Sequence, residues 1–388
     1  MGHYKDKVLL ADGHARQALA LARAFKELGC TVIAICESGL DVCSKSRYVD
    51  HIVKDSSIHE RPDLRVECII REVSKGGYTL VISFSDVTVE QISINRDRIE
   101  KYCRTAVVDK DKFYLAYNKL NTMRICMEND IPCPNTFFDC KTVDDVMNRE
   151  LVYPIIVKPR TGYGAIGFYK FNDAEELRHY LTEHTDDIEH IIIQEYIPQT
   201  DLQYECSIFV DDKNVVKSAM VFEKNRWFPV HGGSSTLNTS VKDDTIVENC
   251  SKLMQFIEWR GCCDIDLIRD PRDGVAKILE INPRISGSGK IVLLSGVNLA
   301  LEMLQMARGE EVTKFADYKE GIRLRCLYTD LLWFLKSRDR FKAKPSWFSM
   351  KNTHEQVFSW KDPAPFFVFS LGSLFRLKKE LKKREGYV

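Results

Sequence analysis

Two kinds of hydrophobic spacing alternate along the first hundred residues. Val8-Leu9-Leu10-Ala11, Thr31–Cys36 and Leu80-Val81-Ile82-Ser83-Phe84 are short apolar runs, as expected of strands buried on both faces. Ala15 to Leu28 and Glu67 to Lys75 between them read as helices, the first ending at Gly29 in C-cap position. Strand and helix in alternation predict a parallel sheet with helices on its faces over residues 1–112. Further along, the spacing predicts a helix over 114–129, ended by Pro132 and Pro134. Apolar strands are expected at Ile155-Ile156-Val157-Lys158, Ile191-Ile192-Ile193 and 203–210, and a helix over Thr245 to Arg260. Two short strands then flank the turn Asp270-Pro271-Arg272-Asp273-Gly274, which reads as a β-hairpin. In it Asp266, Glu280 and Asn282 alternate with Ile265, Leu267, Leu279 and Ile281. One face is therefore polar and the other packs on a core.

Composition narrows this picture. A chain of 388 residues has room for two or three domains. Lys plus Arg and Asp plus Glu are both 56, so no bulk charge favours nucleic acid. The thirteen cysteines form no Cys-x-x-Cys pair, so neither a zinc ribbon nor a dithiol redox site is indicated, and reduced, buried thiols are favoured. No signal peptide follows Met1, and no apolar run approaches the ~20 residues of a membrane span, so a cytoplasmic protein is expected. Only Gly13 stands where a Gly-x-Gly-x-x-Gly fingerprint would follow the first strand, which argues against NAD. His14 and Asp86 lie just past strand ends, as substrate contacts or as ordinary loop residues.

Four segments carry candidate chemistry. The hairpin brings two carboxylates and an amide oxygen onto one face, hard ligands that suit Mg²⁺. Arg284 two residues on adds a planar cation for a carboxylate or phosphate. Val157-Lys158 leads into a loop with Gly162, Gly164 and Gly167, whose backbone amides could cradle phosphate. A strand follows it rather than a helix, so it is no P-loop but a Gly-rich hairpin closing over a nucleotide. The strand before Gln194-Glu195-Tyr196-Ile197 runs into a hinge that could hold an adenine, and Glu205 opens the next strand. Taken singly, each also reads blandly, as a solvated hairpin, a turn or a surface lysine such as Lys119.

Together and in this order, the segments resemble the ATP-grasp superfamily, in its carbamoyl phosphate synthetase/biotin carboxylase-like branch of carboxylate–amine ligases. The resemblance covers residues 113–313. It rests on Asn118-Lys119 with Ile131-Pro132, Val157-Lys158 and its glycines, Gln194-Glu195-Tyr196-Ile197, Glu205, and Asp266 followed by Glu280-Ile281-Asn282-Pro283-Arg284. It implies an α/β fold, α+β overall. A parallel α/β domain over 1–112 would precede an ATP-grasp fold over 113–313, two subdomains holding ATP between them, and an extension over 314–388. It further implies that Lys119 and Lys158 bind ATP phosphates under a loop of Gly162, Gly164 and Gly167. Gln194, Glu195, Tyr196 and Ile197 would hold the adenine and Glu205 the ribose. Asp266, Glu280 and Asn282 would hold Mg²⁺, with Mn²⁺ as a substitute. Arg284, Lys158 and Asn282 would serve the chemistry, Arg284 on the acyl phosphate or the incoming carboxylate. The implied enzyme activates a small carboxylate as its acyl phosphate and joins it to an amine, and the family allows a homodimer. Asn118 stands where the family usually has Asp, and Asp266 is shorter than the usual Glu or Gln. A non-catalytic ATP-binding protein and a bicarbonate-activating enzyme are the alternatives.

Two further stretches are open. His231 to Thr239 reads as a polar loop, either beside the acceptor or merely solvated. Phe366, Phe367, Phe369 and Phe375 adjoin a basic run from Arg376 to Arg384. Residues 366–384 would either pack their aromatics on the body or make a peripheral contact with the inner face of an anionic membrane.

Overall fold

The computed structural model describes residues 4–55, 61–162, 167–198, 203–230 and 233–373. Three sheets organise them. The first is parallel and has the order β3-β2-β1-β4-β5, with β1 at Lys7–Leu10, β2 at Thr31–Cys36, β3 at His51–Lys54, β4 at Tyr78–Ile82 and β5 at Arg104–Thr105. Its central strands are fully buried, as continuous apolar runs require. The helix expected after β1 spans Arg16–Glu27, and Gly29 takes φ +96°, a conformation other residues rarely adopt. The next helix begins earlier than expected, at Pro62, since proline at the first helical turn needs no amide partner.

The second sheet is small and antiparallel, ordered β6-β9-β7-β8, from β6 (Thr136–Phe137), β7 (Ile155–Pro159), β8 (Tyr169–Phe171) and β9 (Ile191–Glu195). It has its own core of Ile155, Val157, Ile193, Leu177 and Leu181. The third has seven strands, ordered β14-β13-β10-β11-β12-β15-β16, and is antiparallel except for its last pair. Its strands are β10 (Gln203–Val210), β11 (Val216–Phe228), β12 (Ser234–Val241), β13 (Gly261–Arg269), β14 (Ala276–Asn282), β15 (Arg323–Arg325) and β16 (Thr353–Glu355). Ile265, Leu267 and Ile278 from this sheet share a core with Leu9, Ile33 and Val81 from the first. The parallel unit and the large sheet are therefore packed as one body.

Several expectations change. The helix expected over 114–129 is two helices, Lys110–Tyr117 and Lys119–Glu128. Asn118 between them is extended (φ −84°, ψ 106°), and its side chain accepts the Leu120 amide. The stretch from Ser234 is strand β12, not a polar loop; it pairs antiparallel with β11. Within the extension after 313, β15 and β16 add to the edge of the large sheet. Buried Asp330 ties this segment down, accepting from Arg226 at 2.8 and 3.0 Å and from Thr236 at 2.9 Å, with Arg325 at 2.6 Å. Phe366 and Phe369 pack on the core around β1, as the body-packing alternative expects. Phe375 and the basic run 376–384 lie outside the described residues. No helix of the described residues is long and apolar enough to cross a membrane. All thirteen cysteines are free thiols, and every one except Cys133 is buried.

Candidate active site

The hairpin supplies the centre of the site. β13 and β14 pair antiparallel, with Asp266 directly opposite Glu280 and Asp264 opposite Asn282. Between Asp266 and Leu267 the register slips, because Leu267 faces Ile278 and leaves Leu279 as an extra residue. This bulge corrects the simple alternation. Ile278 enters the core, while Leu279 turns to the polar side and lines the cavity beside Glu280.

That cavity, about 260 Å³, lies between the small sheet and the large one. One end is cationic and anionic at once. Lys119 opens its helix because Asn118 breaks the chain there, and its ammonium donates to the Gly162 carbonyl at 2.8 Å and lies 3.1 Å from Glu280. Lys158, at the end of β7, lines the same wall, and its ammonium has no ion pair or hydrogen bond among the described residues. Burial, chiefly, and neighbouring Lys119 bring the Lys158 ammonium down to about 8, with Glu280 pulling it up. Burial opposes the charged form of Glu280 too, but Lys119 and Lys158 overcome it and hold its carboxyl below the ordinary value.

The other end is apolar. Ile156, Tyr196, Ile197, Ile268 and Leu279 line it, together with Glu195 and Gln203. The Glu195 amide donates to Asn135 and the Tyr196 amide to the Pro154 carbonyl, so the hinge is pinned on both sides. The Glu195 carboxylate is held by the Asn135 amide at 2.9 Å and Arg272 at 2.7 Å. Gln194 does not reach the cavity. Its side chain is fully buried and donates to Thr136 Oγ1 at 2.7 Å. Gly162 and Gly167 take φ +109° and +74°, and a Cβ at Gly167 would meet Pro159 at 2.9 Å, so this loop needs glycine there. Gly164 lies outside the described residues.

Lys224 was not legible in the sequence. It sits on β11, with its ammonium 2.7 Å from Asp266 and 3.1 Å from Glu205. Burial works against its charge, but the two carboxylates outweigh it and raise its pKa. Burial raises Asp266 to about 6, with Lys224 lowering it and Glu205 and Glu280 raising it. Glu205 lies directly opposite Asp266 across β10 and β13 and is buried behind the cavity wall, while Gln203, two residues earlier, lines the wall itself. The only hint of Lys224 in the sequence is its place in a long extended stretch.

Arg284 follows the hairpin and is gripped by Asp86 of the first sheet's unit, Nε to Oδ1 at 2.8 Å and Nη2 to Oδ2 at 3.2 Å. Burial disfavours the guanidinium, but Asp86 more than offsets this and raises its pKa. Asn238 on β12 donates to Ser288 at 2.8 Å and so fastens the loop after Arg284 to the large sheet. The Thr236 hydroxyl is buried against Asp330. His14 lies 3.8 Å from Glu37.

The donor set fits a nucleotide and a hard cation. Two ammonium groups converge at one end of a cavity whose other end is apolar and pinned through its backbone. Among the described residues no three His, Cys, Asp or Glu form a metal cage. Asp266, Glu280 and Asn282 give instead two carboxylates and an amide oxygen, which suits Mg²⁺ completing its shell from water and phosphate.

Comparison with known proteins places the fold. The model of the ATP-grasp domain family matches residues 116–288. A D-aspartate ligase of Enterococcus faecium is 24% identical over 241 residues, 57% of this chain and 56% of that protein. A carbamoyl phosphate synthase large chain of Thermoanaerobacter is 26% identical over 200 residues, 48% of this chain and 18% of that protein. The chain thus spans only about half of the first relative and under a fifth of the second. The biotin carboxylase domain of Hydrogenobacter thermophilus 2-oxoglutarate carboxylase, solved with MgADP and bicarbonate, superposes with a TM-score of 0.66 at 18% identity, over 82% of this chain and 73% of that one. The similarity to the ATP-grasp domain family is thus carried by residues 116–288 of this chain.

Proposed function

We propose that this chain is an ATP- and Mg²⁺-dependent ligase that activates a carboxylate as its acyl phosphate and joins it to an amine. The observation that carries this reading is the convergence of Lys119 and Lys158 with Glu280 and Asp266 at one end of an otherwise apolar cavity. In this reading the adenine lies between Ile156, Ile197 and Leu279, against the hinge backbone at Glu195 and Tyr196. Gln203 at the wall is better placed for the ribose than Glu205 behind it. Lys119 and Lys158 hold the phosphates, and Gly162 and Gly167 let the loop backbone come close. Asp266, Glu280 and Asn282 would hold Mg²⁺, or Mn²⁺ in its place, which offsets charge gathering on the transferred phosphoryl group. Arg284, fixed by Asp86, would steady the acyl phosphate while the amine attacks. Phosphate then leaves, and an amide remains. The D-aspartate ligase relative supports an amino acid as one substrate. The substrates we infer are small and soluble, met in the cytoplasm.

Isotope transfer tests the reading. Amino acids labelled with ¹⁸O in their carboxyl groups, supplied with ATP, Mg²⁺ and an amine pool, should pass one label into inorganic phosphate. Phosphate released without label would mean that no acyl phosphate forms.

A further inference from the structure

The C-terminal part of the large sheet carries a surface that the ligase reading leaves unused. The helix Leu327–Lys336 turns Asp330 and Trp333 inward, where Arg226 reaches both. Its outward positions are not polar. Leu327, Leu331 and Leu335, one turn apart, are 39%, 44% and 61% exposed. Beyond the helix the apolar stripe widens into an aromatic cluster. Phe334 packs on Trp347 with ring centroids 4.5 Å apart, and Arg325 stacks beneath Trp347 at 4.2 Å. From this base Phe341 and Phe348 project, 5.6 and 5.8 Å from Phe334, and are 72% and 63% exposed; Met350 beside them is 67% exposed. A contiguous patch of large apolar side chains is rare on a soluble surface and marks a contact.

The charge around it is one-sided. Residues 336–351 hold Lys336, Arg338, Arg340, Lys342, Lys344 and Lys351 against Asp339 alone. None of the six cations is ion-paired among the described residues, and all but Arg340 are exposed. Basic side chains elsewhere in this protein are commonly matched with carboxylates, as Arg23 is with Asp362 and Lys26 with Asp50. Apolar side chains that need a low-dielectric phase, ringed by cations that need anions, are the two halves of an interfacial lipid site. A nucleic acid would satisfy the cations and leave the leucine stripe in water.

We propose that Leu331, Leu335, Phe341, Phe348 and Met350 insert into an anionic membrane surface while the surrounding lysines and arginines bind its headgroups. The surface belongs to the body of the large sheet, so its orientation relative to the ATP cavity would be fixed.

The test is flotation of the full chain with vesicles of phosphatidylcholine alone and of phosphatidylcholine with phosphatidylglycerol. Binding should be at least tenfold stronger to the anionic vesicles and fall steeply at about 0.5 M salt. The paired variant Lys342→Glu/Lys344→Glu changes only exposed side chains and should lose this preference. The variant Phe341→Ser/Phe348→Ser should lose binding at low salt as well, with its circular dichroism unchanged. Equal binding to both vesicle types, or none to either, overturns the proposal. A dimer in sedimentation that Phe341→Ser/Phe348→Ser dissociates would assign the patch to a second copy and overturn it too.

Discussion

Lys224 Nζ lies 2.7 Å from Asp266, whose carboxylate would otherwise face only Glu205 and Glu280. The lysine supplies the positive charge that this acidic group needs in the absence of a cation. Lys224→Met should therefore leave Asp266 and Glu205 buried with no counter-charge and cost about 3 kcal/mol of stability. Mg²⁺ should restore more stability to this variant than to the parent, since the ion takes over the lost charge. Chemical denaturation with and without Mg²⁺ checks both statements.

Asp86 should act through Arg284. Its two oxygens fix the guanidinium at Nε and Nη2, and Asn in its place can accept only one of these bonds. Asp86→Asn is expected to lower kcat about tenfold, with ATP affinity unchanged, as befits a positioning residue. Arg284→Lys should behave similarly, because an ammonium cannot form the paired contact. Steady-state kinetics with separate titration of ATP distinguishes this from general damage, which would weaken nucleotide binding as well.

Lys158 gives the site a pH signature. Burial, chiefly, lowers its pKa from 10.5 to about 8, so the group is charged below that pH and neutral above it. A cation whose folded pKa is lowered costs stability while it is charged in the native state. The cost is greatest below about pH 8 and disappears as pH rises towards 10.5. Nucleotide phosphates reverse this preference. ATP affinity should fall as pH rises through about 8, and binding near that pH should take up a proton. Calorimetry in buffers of different ionisation enthalpy reads the uptake, which Lys158→Met should abolish.

The alternation of Asp266, Glu280 and Asn282 with aliphatic residues made the hairpin readable, because a period of two is a local property of a strand. The bulge at Leu279 was not readable, since it depends on how β13 and β14 pair. Its effect is specific: it moves one leucine from the core to the cavity wall. Lys119 stood out only in company, yet Asn118 beside it is a common N-cap and marks the break that the unbroken helix of 114–129 overlooked. Lys224 lies 42 residues from Asp266 and meets it only through the pairing of β10 with both β11 and β13. Asp86 and Arg284 are 198 residues apart and meet because the parallel unit packs on the large sheet. The polar look of Ser234-Ser235-Thr236 hid a strand. Ser235, Thr236, Thr239 and Ser240 spend their hydroxyls on protein neighbours, Thr236 on Asp330.

The central claim is that Glu280 helps hold the cation through which ATP is used. The measurement that tests it most directly is the rate of ADP release by the parent and by Glu280→Ala, with ATP, Mg²⁺ and pooled amino acids. The parent should release ADP only when Mg²⁺ and a carboxylate substrate are both present. Glu280→Ala should lose several kcal/mol of transition-state stabilisation, roughly a thousandfold or more in rate. ADP release by Glu280→Ala at the parent's rate would contradict the account.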